Sequence, residues 1–338
     1  MYKKLKGRAG LLVLPLMLCA ALLAFWIDLN AGYTAVSVGD FLKLLTGQAS
    51  PAIRLAIVEF RLPRVLMSMM VGIGLAVSGC ILQGVSRNEL ADPGVLGINA
   101  GAGLMVAFCV SVLGKSLGGA SLGISAAAFG GGALAGAAVY FLSYIKNEGI
   151  SSNRLVLTGI AMAAALNAAT IMLLLRMRQD EYGFVAGWLS GNIWGARWEN
   201  LGIVFPVITG LVLFALYRSN ALNVMALGIE AATGLGMSVQ RQSLILLAAA
   251  VGLSSVCVAV GGGISFIGLV CPHLARQLVG SGHRRLLPAS VLAGAVLMLA
   301  ADAIGRTVIR PDEVSIGIVA TIIGAPYFLY LLVKRGGK

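Results

Sequence analysis

The sequence predicts an all-α, polytopic membrane protein with about ten transmembrane helices and both termini in the cytoplasm. Three observations carry that expectation. Hydrophobic residues make up 59% of the 338-residue chain and charged residues only 11%, where a soluble domain carries roughly 25%. Ten apolar runs occur, at about 11–28, 62–85, 94–114, 121–144, 154–176, 200–217, 242–262, 265–280, 288–309 and 314–333. Each approaches the roughly 20 residues needed to cross a hydrocarbon core of about 30 Å. Together they leave no room for a soluble catalytic domain, so residues 1–338 read as one transmembrane domain. The third observation is charge: with the N-terminus inside, the inner segments hold fifteen of the 25 Lys and Arg and the outer segments ten, the bias expected of cytoplasmic loops. The net charge of +12 thus concerns topology and inner-leaflet lipid. No basic stripe with interleaved aromatics occurs, so nucleic acid is excluded as a partner.

The first run follows Lys3, Lys4, Lys6 and Arg8 and looks like a secretory signal. No small-x-small site follows it, and Leu18 precedes Cys19 where a lipoprotein signal wants a small residue, so it reads as an uncleaved first helix. The second run opens on Arg61-Leu-Pro-Arg64 and carries Gly72, Gly74 and Gly79 toward Leu82-Gln83-Gly84. Proline suits a first helical turn, and arginines at a membrane boundary can be snorkelling anchors. In the next loop, Asp92 before Pro93 is helix-start chemistry ahead of the third run. The fourth and fifth runs are rich in Ala and Gly, small residues that let helices approach closely in lipid. Between the fifth and sixth, Trp188, Trp194 and Trp198 fit interfacial anchors.

Residues 219–240 form the one long inner loop. Leu222, Met225, Leu227, Ile229, Leu235 and Met237 give it an apolar face too short to span, and Gly234-Leu-Gly236 is expected to break it into two helical pieces. One reading is an interfacial helix lying on lipid. The seventh run ends at Gly261-Gly-Gly263, just before the eighth, which lets one helix stop and the next start almost at once. Pro272 then removes a helical hydrogen bond. His273 and Arg276 lie one turn apart, which fits either a kink whose polar groups cap backbone carbonyls or a gating role. The ninth run contains Asp302, and the tenth completes the return to the inside.

Other chemistries are missing. Cys19, Cys80, Cys109, Cys257 and Cys271 each fall within a run, match no disulfide or zinc spacing, and read as small apolar residues. Gly114-Lys115-Ser116 mimics the end of a phosphate-binding loop, but Cys109 stands where its first glycine is needed. No catalytic, cofactor or metal residues are assigned, and energy from ATP must come from a partner chain.

Several of these stretches together resemble the permease subunits of iron-siderophore, haem and cobalamin ABC importers, the FecCD family. The likeness rests on Arg61–Arg64, on Ala91-Asp-Pro-Gly-Val-Leu-Gly97, on Leu227–Gly236 and on Gly263-Ile-Ser-Phe-Ile-Gly-Leu-Val-Cys-Pro-His-Leu-Ala-Arg276, and covers essentially all ten runs, from about Ala35 to Lys334. Glu89 departs from it, because the family usually has proline there. The resemblance implies that Arg61, Arg64 and Arg306 face an extracytoplasmic binding lipoprotein, arginine being suited to bidentate grip on carboxylates. It implies that Leu227, Gly228, Glu230, Ala231, Gly234, Leu235 and Gly236 dock on an ATPase, with Ala232 adding to a small-residue surface. Pro272, His273 and Arg276 would take part in coupling or gating. The implied assembly has two permease chains, identical or related, and two cytoplasmic ATPase subunits in a bacterial inner or plasma membrane. The implied cargo is a ferric siderophore, with cobalamin or haem as the alternative within the family. A secondary transporter is the alternative outside it; such a protein places polar groups near the midplane, where only Asn167 and Asp302 stand out.

Overall fold

Each of the ten apolar runs contains a helix in the computed structural model, which describes residues 2–32, 39, 43–44, 46–113, 121–145, 149–193, 196–309 and 312–336. Gly114-Lys115-Ser116, Trp194 and Arg310 lie outside these residues. Helix α1 covers Tyr2–Asn30. A single turn, α2 (Pro51–Arg54), passes through a π-helical stretch at Leu55–Arg61 into α3 (Leu62–Ser86). A short 3-10 turn at Pro93–Leu96 precedes α4 (Ile98–Leu113) and α5 (Ser121–Ser143). A two-residue antiparallel hairpin, in which Tyr144 pairs with Ile150, leads to α6 (Ser152–Leu174). Then come α7 (Gln179–Leu189), α8 (Trp198–Tyr217), α9 (Ser219–Met225) and α10 (Ile229–Gly234). The chain closes with α11 (Val239–Gly261), α12 (Ile267–Val279), α13 (His283–Thr307) and α14 (Ile316–Gly336).

Among the described residues, 7 helices are long and apolar enough to cross a membrane unaided; Ile98–Val112 and Ile316–Tyr330 are shorter apolar helices. Helix α12 has 13 residues, about 20 Å at 1.5 Å per residue, so the eighth run crosses only part of the bilayer. The reason lies in the preceding segment. Gly262 ends α11 at φ 69, and Phe266 starts α12 from a left-handed φ of 69. Irregular backbone at membrane depth requires partners for its polar groups. Gly263 N–H donates to Trp188 O at 3.3 Å, and Asn99 Nδ2 donates to Ile264 O at 3.1 Å. Pro272 has no N–H to offer the carbonyl of Gly268; Gln83 Nε2, at 3.4 Å, serves that oxygen instead.

Helix α3 is the axis of the molecule, and its glycines show how. A Cβ built on Gly72 would land on the carbonyl oxygen of Gly294 in α13, and one on Gly294 would land on that of Gly72. A Cβ on Gly79 would overlap the Gly268 carbonyl in α12. Backbone-to-backbone contact of this kind is how helices associate in lipid, where apolar burial gives no drive. Around these crossings Val71, Ala76, Cys80, Ile81, Leu253, Cys257, Leu286 and Met298 form the fully buried core. By contrast α1 and α6 are largely uncovered, with Leu12, Leu16, Leu157 and Met172 exposed as a lipid-facing surface would have them.

Candidate functional site

Two polar centres occupy opposite ends of the same helices. Helix α3 is preceded directly by Arg61 and carries Arg64 at its start and Gln83 at its end, while α13 carries His283 at its start and Arg306 at its end. The 25 residues of α13 span about 36 Å, the depth of a bilayer.

At the first end, Arg61, Arg64 and Arg306 lie close together. Arg64 reaches Asp302 through Nε at 3.1 Å and Nη2 at 2.8 Å, and meets Glu313 through Nη1 at 2.7 Å. Arg306 grips the other Asp302 oxygen at 3.2 Å, pairs with Asp28, and donates to Ala31 O at 3.0 Å. Arg61 donates to Leu29 O at 3.2 Å, and Ser68 Oγ donates to Asp302 Oδ2 at 3.3 Å. Two cations, Arg64 and Arg306, thus face three anions, Asp28, Asp302 and Glu313, and Arg61 sits beside them on the Leu29 carbonyl. The three arginines differ in how open they are. Arg61 and Arg306 are 8% and 6% exposed: the wholly buried Asp28 and Asp302 hold Arg306 inward, and the Leu29 carbonyl holds Arg61. Arg64, with its side chain 16% exposed, is the most open of the three. A charge taken out of lipid-facing surface must be paired to be tolerated, and here the pairing is internal.

At the second end, residues 219–240 fold as α9 and α10. The break between them differs from the sequence expectation. It falls at Gly228, whose φ of 107 only glycine adopts readily; Gly234 merely ends α10, and Gly236 at φ 82 makes the following turn. Leu227, Ile229 and Leu235 are 64%, 46% and 68% exposed, forming an apolar ridge beside exposed Glu230 and Ala231. A Cβ at Gly234 or Gly236 would meet nothing, so this face is open to close approach. Ala232 is fully buried against the chain itself, which removes it from the expected small-residue surface.

The other edge of the loop is fastened down. Asn223 Oδ1 accepts from His283 N–H at 2.8 Å and faces His283 Nδ1 at 3.0 Å. Arg284 Nε donates to Asn220 Oδ1 at 2.9 Å, and Arg218 Nη1 to Gln242 Oε1 at 3.2 Å. Nearby, Arg276 pairs with Glu89 at 2.8 Å and donates to Gln83 Oε1 at 3.2 Å. His273 and Arg276 therefore do different things. His273 Nε2 lies 3.0 Å from Gln277 Nε2, and its ring packs edgewise on Tyr327. In the same region Asp92 accepts from Gly94 N–H at 2.9 Å while burial pushes its carboxyl up to about 6.

Sequence reasoning missed Asp28, Glu89 and Glu313 as partners, and Asn220, Asn223 and His283 altogether. Asp28 had a usable signal, since an acid at the end of an apolar run calls for a cation. The asparagines had none, being ordinary loop residues by composition.

The FecCD transport family matches residues 20–334. The permease protein FhuG of the iron(3+)-hydroxamate import system of Bacillus subtilis (strain 168) is 41% identical over 335 residues, covering 98% of this chain and 99% of that protein. The permease protein FecD of the Fe(3+) dicitrate transport system of Escherichia coli (strain K12) is 38% identical over 278 residues, covering 82% and 85%. A solved structure, described as an inward-facing conformation of a metal-chelate type ABC transporter, superposes with a TM-score of 0.83 at 28% identity over 95% of this chain and 99% of that one.

Proposed function

Because this chain belongs to the FecCD transport family, we propose that it is the permease subunit of an ABC importer that takes up ferric siderophores. One observation carries the reading: similarity over 98% and 82% of the chain to permeases named for ferric hydroxamate and ferric dicitrate import, two chelates of the same cation. In this account the importer pairs the chain with a second permease chain, two ATPase subunits outside the bilayer on the cytoplasmic face, and an extracytoplasmic binding protein. The chain itself then hydrolyses nothing, and the cargo passes between the two permeases.

The two polar centres fit the two kinds of partner. The ridge of Leu227, Ile229 and Leu235, with Gly228, Gly234 and Gly236 leaving the backbone accessible, suits a groove on the ATPase, and Glu230 and Ala231 lie at its edge. At the opposite end Arg64 presents the partly open cation to acidic residues of the binding protein, while Arg61 and Arg306 hold the helix ends behind it. Pro272, His273 and Arg276 stand where the inner mouth would open; separating Arg276 from Glu89 frees the loop after α3.

The test is uptake of radiolabelled ferric hydroxamate by cells that depend on this chain, with cobalamin and haem as competitors. Ferric hydroxamate uptake that neither competitor reduces supports the assignment. Loss of cobalamin or haem uptake on deletion, with ferric hydroxamate uptake intact, moves the cargo to the alternative.

A further inference from the structure

Helix α13 begins without a cap of its own. Its N-cap residue is Gly282, which has no side chain to offer, yet the first N–H groups of any helix need acceptors. The acceptor for His283 N–H comes from another element, Asn223 Oδ1 in α9, at 2.8 Å. A backbone N–H can only donate, so the amide atom facing it is the oxygen. That same oxygen faces His283 Nδ1 at 3.0 Å; Nδ1 therefore carries the proton, and one carbonyl oxygen holds both donors. The site is closed on its far side by Gly84 of α3, where a Cβ would come within 2.9 Å of Leu222 and 3.0 Å of His283 Nε2. His283 is 4% exposed and Leu222 fully buried, so water does not readily replace Asn223.

We propose that Asn223 is the joint through which movement of the 219–240 loop is passed to α13. The loop has one free edge and one fixed edge. Force on the open ridge of Leu227, Ile229 and Leu235 must leave through the fixed edge. There Asn223 and Asn220 are bound to His283 and Arg284, the first two residues of α13. A shift of α9 away from α13 would strip two buried donors of their acceptor at once, a penalty large enough to keep the two elements moving together. Helix α13 carries Asp302 and Arg306 at its other end, so a displacement at His283 is delivered to the buried charge cluster. Asn223 acts here as a positioning residue, through its contact with His283. The inference rests on reading residues 219–240 as the ATPase-coupling loop.

The experiment uses the complete importer in proteoliposomes, with binding protein and ATPase, and reads uptake per ATP hydrolysed. Asn223→Ala is expected to keep ATP hydrolysis near wild type while uptake per ATP falls roughly tenfold or more. Asn223→Asp, which preserves the acceptor oxygen, is expected to restore most of the ratio. Amide exchange in residues 283–287 is expected to rise in Asn223→Ala and not in Asn223→Asp. Should Asn223→Ala fail to accumulate, Asn223→Ser, whose hydroxyl is too short to serve both donors, gives the same reading. An unchanged ratio with the ATPase retained overturns the joint alone, as does equal loss in Asn223→Ala and Asn223→Asp. Failure of the wild-type chain to retain ATPase overturns the coupling-loop reading instead, and the exchange measurement still decides whether Asn223 caps α13.

Discussion

Arg64 and Asp302, 238 positions apart in the sequence, meet at 2.8 Å and fasten α3 to α13. The same carboxylate receives Arg306 on its second oxygen at 3.2 Å. One buried anion therefore neutralises part of two cations.

Removing that anion should be costly. Asp302→Ala leaves Arg64 and Arg306 short of a shared partner, and breaking a buried pair on one side typically costs about 3–5 kcal/mol. Thermal unfolding of the detergent-solubilised protein should show a marked loss for Asp302→Ala and a smaller one for Asp302→Asn, which still accepts hydrogen bonds. A melting temperature equal to wild type would contradict the cluster as drawn.

The pair at the opposite end should behave differently. Arg276 and Glu89 approach to 2.8 Å but are 19% and 30% exposed at the side chain, so water screens them. Glu89→Gln should cost less than about 1 kcal/mol, the range for partly solvated pairs. A loss as large as that of Asp302→Ala would mean that Glu89 is far more enclosed than its exposure indicates.

Close helix contact gives a steric expectation. Gly79→Leu sets a side chain against the Gly268 backbone, and forcing extra volume into a packed core commonly costs about 1–3 kcal/mol or more. Accumulation in the membrane should drop, whereas Gly183→Leu, with open space around its Cβ position, should be tolerated. Equal accumulation of both variants would count against the α3–α12 crossing.

Asp92 supplies a pH dependence. Burial raises its carboxyl from 3.8 to about 6, although Gly94 N–H opposes the shift. With the folded value above the unfolded one, the contribution to stability is full below about 3.8 and is lost as pH rises through about 6. Wild type should therefore gain stability relative to Asp92→Asn as pH falls across that window. Parallel melting curves for the two proteins at every pH would remove Asp92 as the cause.

The helices were legible because hydrocarbon imposes a length and a composition on each, and runs such as 242–262 satisfy both. The eighth run was legible as a helix but not as a short one, since its start depends on Phe266 adopting a left-handed conformation that no local pattern announces. The three arginines were found from motif and position. Their burial was not, because it depends on long-range partners such as Asp28, which is 278 positions from Arg306. In the inner loop, Gly-Leu-Gly at 234–236 drew attention from Gly228, although the latter alone takes φ 107 and divides the two helices. Local signals thus gave the elements, and the long-range pairing of charges decided what the site residues touch.

The most direct measurement is ATP-driven uptake of ferric hydroxamate into proteoliposomes holding this chain, its partner permease and the ATPase, with binding protein added outside. Uptake should require all of these components, and Gly234→Trp, which fills the open face of the 219–240 loop without touching a spanning helix, should abolish it while leaving the chain in the membrane. Uptake that persists without ATPase, or that Gly234→Trp leaves unchanged, would contradict the account.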